Sequence, residues 1–138
     1  MQSDLGATNV TLRGALLEQN HGAGVVAAGS EATLEASAVR TTQPDAKKLE
    51  GRGVCAQAEA QTDAPSTLRL QRAVVEQNHD IGVWLEGSEG TLEATVVRTT
   101  QLNAQGVGGR GVVVQHHPTG GAAATLTLSR SLVEQNHE

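Results

Sequence analysis

Apolar and polar residues alternate in short runs along this chain, as in Val10-Thr11-Leu12, Thr67-Leu68-Arg69-Leu70 and Thr125-Leu126-Thr127-Leu128. A period of two sends successive side chains to opposite faces, which is the signature of a half-buried strand. The runs span three to five residues, favour β-branched side chains, and are bounded by Gly, Asn and Ser. Those boundaries are turn chemistry. No stretch of ten residues carries the 3.6-residue period of an amphipathic helix. An all-β chain of short strands is expected.

The strands recur on a fixed register. Glu-Gln-Asn-His stands at Glu18–His21, Glu76–His79 and Glu134–His137, and 76 − 18 = 134 − 76 = 58. Val39-Arg40-Thr41-Thr42-Gln43 returns 58 residues later as Val97–Gln101, and Gly51-Arg52-Gly53-Val54 returns as Gly109–Val112. No gap interrupts the register, so each unit is a module of fixed geometry. A sub-period is present as well. Leu70, Ala73, Val74 and Val75 line up with Leu92, Thr95, Val96 and Val97 at a shift of 22, and Gly82-Val83-Trp84-Leu85 lines up with Gly111–Val114 at a shift of 29. Each module therefore holds two coils of three strands. One coil carries insertions near Pro44–Glu50 and Leu102–Gly108, and variable turns fall near Ala58–Asp63 and His116–Gly121.

The pattern Leu-x-Leu-x-x-Ala-x-Val-x-x-Asn-x-x-x-Gly-Val-x-Leu, from Leu68 to Leu85, resembles the right-handed parallel β-helix repeat of the pectate-lyase-like superfamily. The resemblance covers the chain from Ala7 onward. It implies a right-handed parallel β-helix solenoid of roughly four to five coils, two per 58-residue module, in one domain over 1–138. The modules run from about 7 to 64 and 65 to 122, with a partial one over 123–138. The chain stops within a coil, so a fragment lacking end caps is expected. A leucine-rich repeat also has a length near 22, but there Asn follows the strand leucine by three residues, and Asn78 sits eight after Leu70.

Alternation assigns the faces. Leu68, Leu70, Ala73, Val75, Val83 and Leu85 are expected inward in one coil, and Leu92, Ala94, Thr95, Val97, Val112 and Val114 in the next. Asn20, Asn78 and Asn136 form a structural ladder at the turn after the second strand, where an amide side chain can bond backbone groups. Gly24, Gly53, Gly82 and Gly111 open the third strand, where a bend would call on glycine freedom. Facing outward are Trp84, Val26, Cys55 and Val113 in one column and Leu16, Ala38, Val74, Val96 and Leu132 in another. Exposed apolar columns mark contact surfaces, so Trp84, Val26, Cys55 and Val113 are candidate contact residues.

Composition narrows the chemistry. One Trp and no Tyr or Phe leave a core of Val, Leu and Ala, which suits a narrow solenoid. Ten Lys and Arg against fifteen Asp and Glu give a net charge of −5. That balance and the lack of stacking aromatics disfavour nucleic acid. Cys55 is the only cysteine, which excludes an intrachain disulfide and a Cys-rich zinc site. Met1–Leu5 lacks the features of a signal peptide, and no run approaches the roughly eighteen apolar residues of a membrane span. A parent protein at the cell surface or outside the cell is compatible with that reading.

No catalytic, cofactor or metal site emerges. Equivalent His21, His79 and His137 would lie about 10 Å apart, two strand spacings, whereas two nitrogens on one metal lie within roughly 4 Å. His116-His117 precedes Pro118 in an expected exposed turn. Glu18, Glu76 and Glu134, and also Glu35 and Glu93, share identical contexts, while a catalytic pair needs environments that split its two pKa values. Arg13 and Glu35 occupy equivalent positions and are expected to form an exposed ion pair. The resemblance implies clustered Asp for a calcium-dependent lyase, and Asp4, Asp45, Asp63 and Asp80 are scattered. The sequence therefore reads as a non-catalytic structural or interaction segment. Its expected partners are further coils of a longer parent protein or a second copy meeting open ends. The alternatives are a fragment of a polysaccharide-active β-helix enzyme and a carbohydrate-binding module.

Overall fold

The computed structural model describes residues 8–119 and 123–137. Among them there is no helix. The strands are β1 (Asn9–Arg13), β2 (Leu16–Glu18), β3 (Gly22–Ala28), β4 (Glu31–Glu35), β5 (Ala38–Arg40), β6 (Gly51–Gln57), β7 (Thr67–Gln71), β8 (Val74–Glu76), β9 (Ile81–Glu86), β10 (Glu89–Glu93), β11 (Val96–Arg98), β12 (Arg110–Gln115), β13 (Thr125–Ser129) and β14 (Leu132–Glu134). They form three sheets, β1-β4-β7-β10-β13, β2-β5-β8-β11-β14 and β3-β6-β9-β12. Every strand neighbour within the sheets is parallel. The chain visits the three sheets in turn, an all-β arrangement consistent with a parallel β-solenoid.

The register reproduces the sequence periods. In the first sheet Leu12, Leu34, Leu70, Leu92 and Leu128 stand side by side, at alternating separations of 22 and 36 residues. In the third sheet Val25, Val54, Val83 and Val112 are neighbours at a constant 29. Both patterns close at 58. The uneven steps exist because the insertions and the variable turns fall at different corners, and only the third sheet lies between the two.

The inward columns make the core. Leu34, Leu68, Leu70, Leu85, Leu92, Val39, Val54, Val75, Val83 and Val97 are fully buried. Thr95 joins them, while Val112 packs partly buried against the cluster. Val114 shares the column of Leu85 yet is 41% exposed, because β12 has a strand neighbour on one side only. Ala94 departs from the expected inward position. It lies at the corner after β10 with φ of 48° and faces solvent, and Ala36, Arg72 and Arg130 repeat that conformation at equivalent corners. The left-handed turn rotates the side chain away from the core.

Backbone groups at the corners cannot all join the strand ladders, and buried ones need partners. Side chains from the neighbouring pass supply them. Asn78 is 0% exposed. Its Oδ1 accepts from the Thr42 amide at 3.0 Å and its Nδ2 donates to the Val39 carbonyl at 3.1 Å. Asn136 repeats the arrangement on Thr100 and Val97. Asn20 occupies the same corner, half-buried, with its carbonyl accepting from the Gln43 amide. The Asn ladder thus supports the corner between the second and third sheets.

The other two corners carry serine and threonine stacks, a feature that turn composition alone did not single out. Between the first and second sheets, Ser37 Oγ accepts from the Ala15 amide, Thr95 Oγ1 from Ala73 and Ser131 Oγ from Thr95. Between the third and first, Ser66 Oγ accepts from the Ser30 amide and Ser88 Oγ from Ser66.

Gly24, Gly53, Gly82 and Gly111 differ from expectation in their reason. None has a positive φ. A Cβ on Gly53 would meet the Gly82 carbonyl oxygen at 2.6 Å, Asn78 Nδ2 at 2.7 Å and Val75 Cγ1 at 2.8 Å. Close approach of stacked backbones, rather than a bend, excludes a side chain there.

Replacing Asn78 by Ala orphans the Thr42 amide and Val39 carbonyl in a buried corner, so a loss of about 1–3 kcal/mol is expected. The exposed neighbour Gln77→Ala is expected to cost much less. Urea unfolding of both variants checks this, and equal losses would contradict the corner assignment.

Candidate functional surfaces

The outward residues of the third sheet form the column Val26, Cys55, Trp84 and Val113, in register. Val26 is exposed, while Trp84 and Val113 are half-buried. Cys55 is only 3% exposed, so it is not available as a contact residue. Its burial follows from its neighbours. Trp84 stands beside it, and the Arg52 guanidinium lies 3.9 Å from the centre of the Trp84 ring. Arg52 is held there by Glu50 at 3.3 Å and Asp80 at 3.6 Å. A cation over an indole face is attracted by the ring quadrupole, so the middle of the column is covered by its own chain.

That cover has electrostatic consequences. Burial pushes the Cys55 thiol up to about 12. Partial burial also holds the Asp80 carboxyl above the usual carboxylate range, against the pull of Arg52. Asp80 also receives the insertion that follows β11, since its carbonyl accepts from the Gly109 and Arg110 amides at 2.7 and 3.0 Å. The two insertions touch here, with Asn103 Nδ2 donating to the Leu49 carbonyl at 2.9 Å. Asp45 nucleates the earlier insertion. The Leu49 amide bonded to its carboxylate holds it below the usual range.

The histidines are tied to backbone. His79 Nδ1 donates to the Thr42 carbonyl at 2.9 Å and His21 Nδ1 to the Pro44 carbonyl at 3.2 Å. His137 donates its amide to the Gly109 carbonyl. Of the adjacent pair, His116 is exposed as expected, but His117 is buried. Its Nδ1 lies 3.0 Å from the Thr119 hydroxyl oxygen and 3.6 Å from Asp63 Oδ1, so the two variable turns meet here. The spacing of these turns in the sequence gave no sign that they would meet.

The carboxylates face arginines. Arg13 pairs with Glu35 at 3.1 Å, as expected from their equivalence, and Glu35 also takes Arg72. Arg130 pairs with Glu93 and Arg69 with Glu31. On the second sheet Glu18, Arg40, Glu76, Arg98 and Glu134 stand side by side, with Arg40–Glu18 and Arg98–Glu76 each at 2.9 Å. Beside them runs the second outward column, Leu16, Ala38, Val74, Val96 and Leu132, also in register. Its end members are 53% and 48% exposed. Among the described residues, no three His, Cys, Asp or Glu gather as metal ligands, and no helix is long and apolar enough to cross a membrane.

Two measurements follow. The Arg13–Glu35 pair is exposed, so a double-mutant cycle should give a coupling below about 1 kcal/mol; a value above about 2 kcal/mol would mean a buried site. Cys55 should react with a thiol reagent only on unfolding. Its folded thiol titrates above its ordinary value of 9.0. The sign follows: its contribution to stability is complete below about pH 9 and is lost as pH rises toward about 12. Rapid labelling of the native chain at pH 8 would contradict the burial.

Comparison with known proteins adds no relative: no family model, no curated protein and no solved structure matches the chain.

Proposed function

We propose that this chain is a non-catalytic segment of a right-handed parallel β-helix, two coils per 58-residue module, that serves as a structural spacer and interaction surface. One observation carries the reading. The polar residues that recur with the module are engaged in holding adjacent passes together. Asn78 and Asn136 bond the corner backbone of the preceding pass. Arg40, Arg72, Arg98 and Arg130 pair with glutamates on neighbouring strands. A catalytic pair of carboxylates would need unlike surroundings, and these glutamates share like ones.

The right hand rests on a general rule. A connection that leaves a strand and returns to a parallel neighbour in the same sheet is right-handed in about 98% of cases. The likeness to the pectate-lyase-like repeat rests on the Leu68–Leu85 pattern and on the parallel sheets. Partners of the proposed segment are further coils of the same kind or a second copy.

The test uses the repeat itself. Duplicating residues 65–122 adds one module, and a stacked structure with nearest-neighbour stability should fold, keep its β-sheet circular dichroism per residue, and unfold at higher urea. The same samples are assayed for turnover and saturable binding of acidic and neutral polysaccharides. Extension with higher stability and no turnover is the expected result. Turnover by the original chain would overturn the non-catalytic reading, and saturable glycan binding would favour a carbohydrate-binding module.

A further inference from the structure

The outer face of the second sheet is two columns wide. One is apolar, from Leu16 to Leu132; the other alternates in charge as Glu18, Arg40, Glu76, Arg98, Glu134. We propose that this face docks a second copy of the chain in an antiparallel, two-fold dimer. The proposal rests on the structural and interaction reading above and names its surface and partner.

The argument is charge complementarity. A two-fold axis running along the strand direction places apolar column on apolar column and charged column on charged column, with row order reversed. If the axis passes through a row, Glu meets Glu and Arg meets Arg, which is repulsive. If it passes midway between two rows, every Glu in the overlap faces an Arg. With the axis between β5 and β8, Glu18 faces the second copy's Arg98 and Arg40 faces its Glu76, each twice by symmetry. The apolar column then sets Ala38 against Val74 and Leu16 against Val96. The strict alternation therefore selects half-row offsets and rejects whole-row ones. An all-acidic or all-basic column would have no attractive register at all, and a random one would have no unique solution. Parallel stacking of the solenoid axes brings the charged columns to opposite sides of the contact and leaves them unmatched.

The strip is small. Its columns are about 7 Å apart and its five rows span roughly 19 Å. That is far below the ~800 Å² per partner of a standard interface. The dimer is accordingly weak, populated at high micromolar to millimolar chain, and sensitive to salt because the pairs lie at a rim.

Sedimentation equilibrium of the full chain over that range, at low and high salt, is the first measurement. A monomer–dimer equilibrium weakened several-fold by salt is expected. Two variants decide it. Arg40→Glu with Arg98→Glu makes the column all acidic, which leaves no attractive register, so self-association should be lost while the circular dichroism spectrum stays like that of the parent chain. Swapping the whole column, with Glu18→Arg, Arg40→Glu, Glu76→Arg, Arg98→Glu and Glu134→Arg, keeps both the intrachain pairs and the self-complementary order, so that variant should fold and dimerise as the parent chain does. The docking proposal is overturned by a parent chain that stays monomeric at millimolar concentration, by a folded all-acidic variant that dimerises as the parent does, or by a folded swapped variant that stays monomeric. A monomer that also lacks polysaccharide activity removes the dimer alone, whereas turnover would remove the structural reading beneath it.

Discussion

Everything in this structure depends on satisfying the backbone at three corners. Parallel strands pair cleanly along their length, but where the chain turns from one sheet to the next its amides and carbonyls leave the ladder while still buried. Each such group left unpaired would cost about 1–3 kcal/mol. The chain answers with short polar side chains from the adjacent pass: asparagine at one corner, serine and threonine at the other two. Once the corners are satisfied, the passes must stack in register, and register in turn builds the leucine and valine columns. The 58-residue period is the sequence record of that stacking.

Packing follows from the same constraint. Backbones that approach closely beside the asparagine corner leave no room for a Cβ at Gly53, where the Gly82 carbonyl and Asn78 amide already occupy the space. The bore is narrow enough for Val, Leu and Ala to fill, which is why a core of this kind does without Phe or Tyr. The charged residues then occupy the outer faces, and stacking at the strand spacing brings Arg40 to Glu18 and Arg98 to Glu76. Individually such exposed pairs are weak. Their order along the column carries more information than their energy.

Much of this was legible in the sequence because strand alternation and an ungapped repeat fix both face and register. The parallel sheets, the buried Asn78, the Arg13–Glu35 pair and the inward Leu and Val columns all follow from those two patterns. What escaped was set by contacts across unlike segments. Ala94 turns outward because its corner takes a left-handed conformation that alanine does not advertise. Cys55 lies on an outward column yet is buried, because Arg52 folds back over Trp84, and nothing in a period of two predicts a side chain lying along the sheet. His117 is buried because two turns 58 residues apart pack together, with Asp63 close by. The serine and threonine stacks were hidden because the same residues suit any turn. The shifts of 58 and 36 that relate Ser37, Thr95 and Ser131 were the available signal.

Hydrogen exchange at the corner amides tests the account most directly. Thr42 donates its amide to Asn78, and Thr100 donates to Asn136, one module later. Both amides should exchange slowly in the native chain, although neither lies in a strand. In the Asn78→Ala variant, Thr42 should lose its protection while Thr100 keeps most of its own. Fast exchange at Thr42 in the unaltered chain, or protection at Thr42 unchanged by the substitution, would contradict the claim that the asparagine corner holds the passes together.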